Sequence, residues 1–291
     1  MKKLLILPAI MLAFVSCQQK EILFYPGDDS SFILQTSADF GNRPLEVFYH
    51  IPECDIKTLG VMFVMHGASR NGKDYLDWTK EAAEKYGFML LAPNFPSDVY
   101  PTREYQEGGI MDGQKNYNTP EKMTYQLIDD IFEYLLKHSD LKTKRYSIIG
   151  HSAGGQFVHR FLQFGQSPYV EKAVAANPGW YTFPDETLDF PYGMTGYTDD
   201  PKAYRKKYYS RDLTILLGTA DTIRDPSFRT SFEADLQGLT RLERGQTFYR
   251  VNKEVAEEEG LSFNWKIGFV EGIGHEGNIM CPEALKFLYG K

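Results

Sequence analysis

Residues 145–164 read RYSIIGHSAGGQFVHRFLQF, and this stretch decides the fold. Residues 145–149 form a short apolar run that predicts a buried strand, and residues 153–164 predict an amphipathic helix. Between them, Gly150-x-Ser152-x-Gly154 leaves only a tight turn. Such a turn lifts a serine above the edge of a sheet, while the flanking glycines let strand and helix pack closely around it. The pattern alone is weak, because glycine and serine are common. Its position between a buried strand and a helix makes Ser152 a candidate nucleophile.

Working outward, the same alternation repeats. Residues 31–36 and 45–51 read as strands joined by an Asn42-Arg43-Pro44 turn, and residues 60–65 (GVMFVM) as a strand buried on both faces. A helix is predicted over 74–86 with Gly87 as its stop, followed by a strand at 88–92. Thr119-Pro120 predicts a helix start, with Met123, Leu127, Ile131 and Tyr134 facing inward. Strands at 170–176, 213–217 and 263–270 complete the set. Strands separated by helices of this length predict an α/β fold, a mostly parallel central sheet with helices on both faces. No Ser/Gly-rich linker or internal repeat divides residues 30–291, which read as one domain.

Two partners for Ser152 stand later in the chain. Asp221 lies just past the strand at 213–217, where ligands and catalytic groups collect in open α/β sheets. His275 follows the last strand in a glycine-flexible loop. Asp212 and Asp225 are rival acids that fit the strand end less well, and none of the other five histidines follows a late strand. His66-Gly67-Ala68 ends the strand at 60–65. The backbone N–H groups of Ala68 and Ala153 are the candidate oxyanion donors, and His66 reads as a packing and hydrogen-bonding residue. The alternatives are a Gly-rich strand-to-helix turn, a loop-capping carboxylate and a surface histidine.

With these residues in the order Ser, Asp, His, the chain resembles the α/β-hydrolases from about residue 30 onward. Over His66-Gly67, residues 74–86, Gly87-Phe88 and Ala92-Pro93 it is similar to secreted esterases of the polyhydroxybutyrate-depolymerase and feruloyl-esterase type. The resemblance implies an α/β-hydrolase fold and ester hydrolysis by a serine nucleophile through an acyl-enzyme. A serine peptidase of the same fold and a non-catalytic glycan-binding surface lipoprotein are the competing readings.

The N-terminus reads as an address. Lys2 and Lys3 precede a 13-residue uncharged, mainly apolar run ending at Ser16. A membrane span needs about 20 residues, so residues 1–16 read as a signal peptide. Ser16-Cys17 resembles a bacterial lipobox, with Phe14 a departure from the usual leucine. Cys17 is then the lipidated residue, residues 17–29 a tether, and the protein an exported envelope lipoprotein held by lipid alone; cleavage to a plain secreted product is the alternative. The net charge is −7, and loss of Lys2 and Lys3 makes it two units more negative. That balance argues against a nucleic-acid partner. Three cysteines are too few for a disulfide scaffold. No metal-ligand spacing and no phosphate-cradling loop appear, so no cofactor is expected.

Aromatic residues make up 14% of the chain. They concentrate in residues 180–212, read as a long loop carrying nine of them, while residues 94–118 form a second long loop. Trp180, Tyr181 and Tyr105 are the candidate substrate-binding residues, suited to sugar rings or phenolic acids. A satellite core under the loop is the equal alternative. Arg241, Arg244 and Arg250 read as one solvated helix-turn face or as a site for an anionic group. The expected substrate is a small-molecule or polysaccharide-linked polar ester.

Overall fold

The run at 60–65 lies fourth across an eight-stranded sheet in a computed structural model, which describes residues 21–290. The strands are β1 (Asp29–Gln35), β2 (Pro44–His50), β3 (Gly60–Met65), β4 (Phe88–Asn94), β5 (Tyr146–His151), β6 (Val170–Ala176), β7 (Asp212–Gly218) and β8 (Lys266–Val270). Their order is β1-β2-β4-β3-β5-β6-β7-β8. β2 runs antiparallel to both of its neighbours, and β4 onward is parallel throughout.

The uninterrupted apolar run of β3 follows from burial on both sides. Val61, Phe63 and Met65 enter one core, and Met62 and Val64 the other. The second core is closed by α1 (Gly72–Tyr86) and α7 (Gly277–Tyr289) through Leu76, Ala83, Met280 and Leu285. The first is closed by α2 (Gln126–His138), α3 (Ala153–Phe164) and α6 (Arg241–Glu259) through Ile131, Phe157 and Phe248. Two short helices, α4 (Pro201–Tyr209) and α5 (Phe232–Gln237), lie in the connections flanking β7. The chain lays β4 on one side of β3 and β5 on the other. That reversal opens the crevice between the carboxyl ends of β3 and β5, where ligands bind in such sheets.

Several expectations are corrected. Thr119 caps only a 3₁₀ turn, Pro120–Lys122; Met123 is extended (φ −79°, ψ 144°), and α2 starts at Gln126. Its inward residues Leu127 and Ile131 are buried as read. The stretch 180–212 is not all loop, because α4 occupies its end under an Asp200 N-cap. The last strand is shorter than 263–270, since Phe263 and Trp265 turn into an aromatic cluster with Tyr209 before β8 begins. α7 was not read from the sequence at all.

The expected signal peptide and the expected lipidation site Cys17 lie outside the described residues. Within the expected tether, Phe24 is buried against Phe32 and Tyr49, and Leu23 N donates to His138 O, so residues 21–28 are docked on the domain. Among the described residues no helix is long and apolar enough to cross a membrane. Cys54 is exposed and Cys281 buried, and neither is in a disulfide.

Candidate active site

Ser152 sits between β5 and α3 at φ 57°, ψ −115°, a backbone region rare for any residue but glycine. Close approach of the neighbouring backbones imposes this turn. A Cβ on Gly154 would stand 2.1 Å from Met65 O at the end of β3, and one on Gly150 would stand 2.3 Å from Gly154 O. Only glycine fits at either place, so α3 seats directly on the sheet edge and the serine points off it.

His275 Nε2 lies 2.9 Å from Ser152 Oγ. On the other side of the ring, Nδ1 donates to Asp221 Oδ2 at 2.7 Å. That bond places the neutral ring's free lone pair at Nε2, toward the serine. Ser152 and His275 are half-buried, whereas Asp221 is buried. The Asp221 turn is closed by Asp221 N donating to Gly218 O and Ala220 N donating to Ile273 O, which joins the acid to the His275 loop. The rival acids are elsewhere: Asp212 opens β7 and pairs with Lys266, and Asp225 pairs with Arg241 at 2.7 Å.

Among the described residues, neither Ala68 N nor Ala153 N donates to a protein acceptor, and a Cβ on Gly67 would stand 3.8 Å from Ser152 Cβ. His66 is fully buried, with Nδ1 donating to Gly67 O and Nε2 accepting from Phe95 N. Burial pushes its pKa down to about 3, so it stays neutral and structural. Cys281 has its thiol pushed up to about 12 by burial, which keeps it protonated and inert. No group of three His, Cys, Asp or Glu side chains that could hold a metal occurs among the described residues.

The expected substrate-binding residues are displaced. Tyr105 is wholly buried; its ring stacks on His66 at 4.5 Å and its hydroxyl donates to His66 O, so it supports the loop after β3. Tyr181 is equally buried, stacked 4.3 Å from Phe248. Trp180 is buried, with Arg160 4.0 Å and Arg229 4.7 Å from its ring. Most of the aromatic excess is therefore satellite core. A cavity of about 640 Å³ lined by Phe183, Leu188, Phe190, Tyr192, Leu236 and Val251 contains none of Ser152, Asp221 and His275.

The arginines of α6 do not share one solvated face. Arg241 and Arg244 are buried, and only Arg250 is exposed, paired with Glu254. Arg241 reaches Asp221 Oδ1 at 3.5 Å and holds the Asp225 carboxyl well below the usual range. Asn177, at φ 43°, was also missed: its Nδ2 donates to Gly274 O and its Oδ1 accepts from Gly218 N, linking β6 to both loops. The Asn-Pro-Gly at a strand end was its only signal.

A strained serine above a parallel sheet, backed by an imidazole and a buried carboxylate, defines a serine hydrolase of the α/β-hydrolase class. No family model and no curated protein matches the chain. Among solved structures, the poly(aspartic acid) hydrolase-1 from Sphingomonas sp. KT-1 is 36% identical, over 92% of this chain and 100% of that one, with a TM-score of 0.85. A poly(3-hydroxybutyrate) depolymerase from Bordetella parapertussis is 28% identical over 91% of this chain and 90% of that one, also at 0.85. An S-formylglutathione hydrolase from Staphylococcus aureus shares the fold at 16% identity over 90% of this chain and 98% of that one, with a TM-score of 0.55. The chain belongs to the α/β-hydrolase family, among serine hydrolases of the esterase type.

Proposed function

We propose that the protein cleaves carboxylic esters with Ser152 as nucleophile, His275 as general base and acid, and Asp221 as the orienting carboxylate. His275 Nε2 takes the Ser152 proton as Oγ bonds to the ester carbonyl carbon. Asp221 holds the ring through Nδ1 and stabilises its charged form. The Ala68 and Ala153 amides receive the oxyanion. Collapse expels the alcohol with the proton from His275, and water, deprotonated by the same nitrogen, releases the acid. The observation that carries this reading is the unbroken relay of 2.9 Å and 2.7 Å from Oγ through the imidazole to Asp221. Ser152→Ala is expected to cut turnover of an activated acetate ester by at least about 10³-fold with an unchanged melting temperature. Turnover surviving in a folded variant would remove the serine mechanism.

The substrate in this reading is a small polar ester, carbohydrate-linked esters included. A second reading is favoured by charge around the site. Arg70, two residues past Ala68, bonds only backbone carbonyls, and Arg160 and Arg229 flank Trp180. None of these three is in an ion pair among the described residues, although the chain is acidic overall. Arg160 is wholly buried, so Arg70 and Arg229 are the unpaired guanidinium groups that favour a substrate carrying a carboxylate. That fits an acidic oligomer; the Sphingomonas relative is a poly(aspartic acid) hydrolase.

A further inference from the structure

We propose that the Tyr75 hydroxyl is a positioning group that braces, from beneath, the three backbone segments carrying the oxyanion amide, the nucleophile and the base. The inference rests on the roles proposed for Ser152 and His275. Tyr75 lies in the first turn of α1 and is buried. Its Oη is 2.9 Å from His151 Nδ1. A Cβ on Gly67 would stand 2.7 Å from the same oxygen, and a Cβ on Gly277 would stand 2.8 Å from it and 3.0 Å from His151 Nδ1. Gly67 precedes Ala68, His151 precedes Ser152, and Gly277 opens α7 two residues after His275. One phenol oxygen thus lies beside the three segments that carry the oxyanion amide, the nucleophile and the base, without reaching a reacting atom.

Desolvation keeps the phenol protonated and keeps the His151 imidazole neutral, so the bond joins two uncharged groups, and the His151 tautomer sets which of them donates. The Gly67 backbone is a further hydrogen-bonding neighbour of the phenol oxygen. The His151 ring lies 4.6 Å from the His275 ring, tilted by 45°, so fixing His151 also fixes the floor under the base. A neutral ring there does not repel His275 when it carries the serine proton. The titratable and charged groups around this pair are His275, Arg241 from α6, Cys281 from α7, Asp74 from α1 and Tyr105. Both glycines are required because a side chain at either position would occupy the space of the hydroxyl.

Tyr75→Phe keeps the ring packed on Trp78 and removes only the oxygen. It is expected to fold with a near-native melting temperature and to lose about ten- to hundredfold in kcat on an activated acetate ester, with KM within about twofold. Displacements of an ångström in a catalytic array cost on this order. Gly277→Ala adds a methyl between the two partners without deleting a group, and is expected to act in the same direction. His151→Leu should match Tyr75→Phe, and the double variant should fall little further. His151→Asn, whose side-chain amide stands near the place of Nδ1 and can accept or donate there, should recover part of the loss. Wild-type kcat in folded Tyr75→Phe or Gly277→Ala, or losses that multiply in the double variant, would overturn the proposal, as would failure of both single variants to fold. Ser152→Ala measured alongside separates the two readings. Turnover surviving there overturns the nucleophile assignment, whereas its loss with native rates in the Tyr75 and Gly277 variants overturns the brace alone.

Discussion

Ser152 carries backbone strain of about 1–3 kcal/mol for a non-glycine residue at positive φ. That strain is sustained because the alternatives are blocked on both sides. Gly154 lies where a side-chain carbon would meet Met65 O at 2.1 Å, and backbone oxygen cannot rotate away as a side chain can. Gly154→Ala is therefore expected to lower the melting temperature by about 10 °C or more, or to abolish soluble expression, rather than to act on chemistry alone. A near-native melting curve for this variant would show that α3 can lift from the sheet edge, and would remove the packing account of the turn. The glycines, serine, acid and histidine were legible in the sequence because each stands at a strand end that hydrophobic patterning locates. Tyr75 and Asn177 were not. Their partners lie 76 and 97 residues away in the bonds Tyr75–His151 and Asn177–Gly274, and no local pattern marks such a contact.

At the scale of elements, α6 behaves differently from its sequence. Its surface is polar, yet Arg241 is buried and its guanidinium joins Asp221 and Asp225. The helix thereby backs the acid loop, where the sequence reads as a solvated face or as a site for an anionic group. Asp225 has its pKa depressed by the hydrogen bond and charge of Arg241, with Ser227 adding further hydrogen bonds. A depressed carboxylate contributes stability that is present above its unfolded pKa of about 3.9 and is lost as pH falls toward the folded value. Asp225→Asn is thus expected to be less stable than the wild type at pH 7, with the difference in melting temperature shrinking as the pH is taken from 5 to 3. A gap that stays constant over that range would mean that the Arg241–Asp225 pair contributes no pH-linked stability. α4 and α5 were similarly unreadable. At nine and six residues they have weak periodicity, and packing against α6 holds them in place.

For the whole molecule, charge is distributed against the average. The chain is acidic, but Arg70 and Arg229 are in no ion pair among the described residues, and the wholly buried Arg160 lies 4.0 Å from the Trp180 ring that Arg229 also covers. Arg229 is exposed, stacked on Trp180 and bonded to Tyr192. Arg229→Ala is expected to lower kcat/KM for a carboxylate-bearing ester by about tenfold and to leave a neutral ester of the same acyl length within about twofold. Added salt should reduce the wild-type preference in the same direction. Equal losses on both esters would assign Arg229 to packing on Trp180, and a wild-type preference for the neutral ester would remove the acidic-substrate reading.

Alternation of buried strands and helices, the glycine-bounded serine, and the order of acid and histidine were all written locally. Strand burial, turn sterics and helix periodicity act over a few residues, so the α/β architecture and the three principal site residues could be read without coordinates. What packs behind those residues could not. Whether Trp180 and Tyr181 face a substrate or a core, whether Arg241 meets water or Asp221, and whether one tyrosine touches three loops all depend on which distant segments the closed fold brings together. Composition records that such side chains exist, and only the close packing of the sheet edge settles what each one touches.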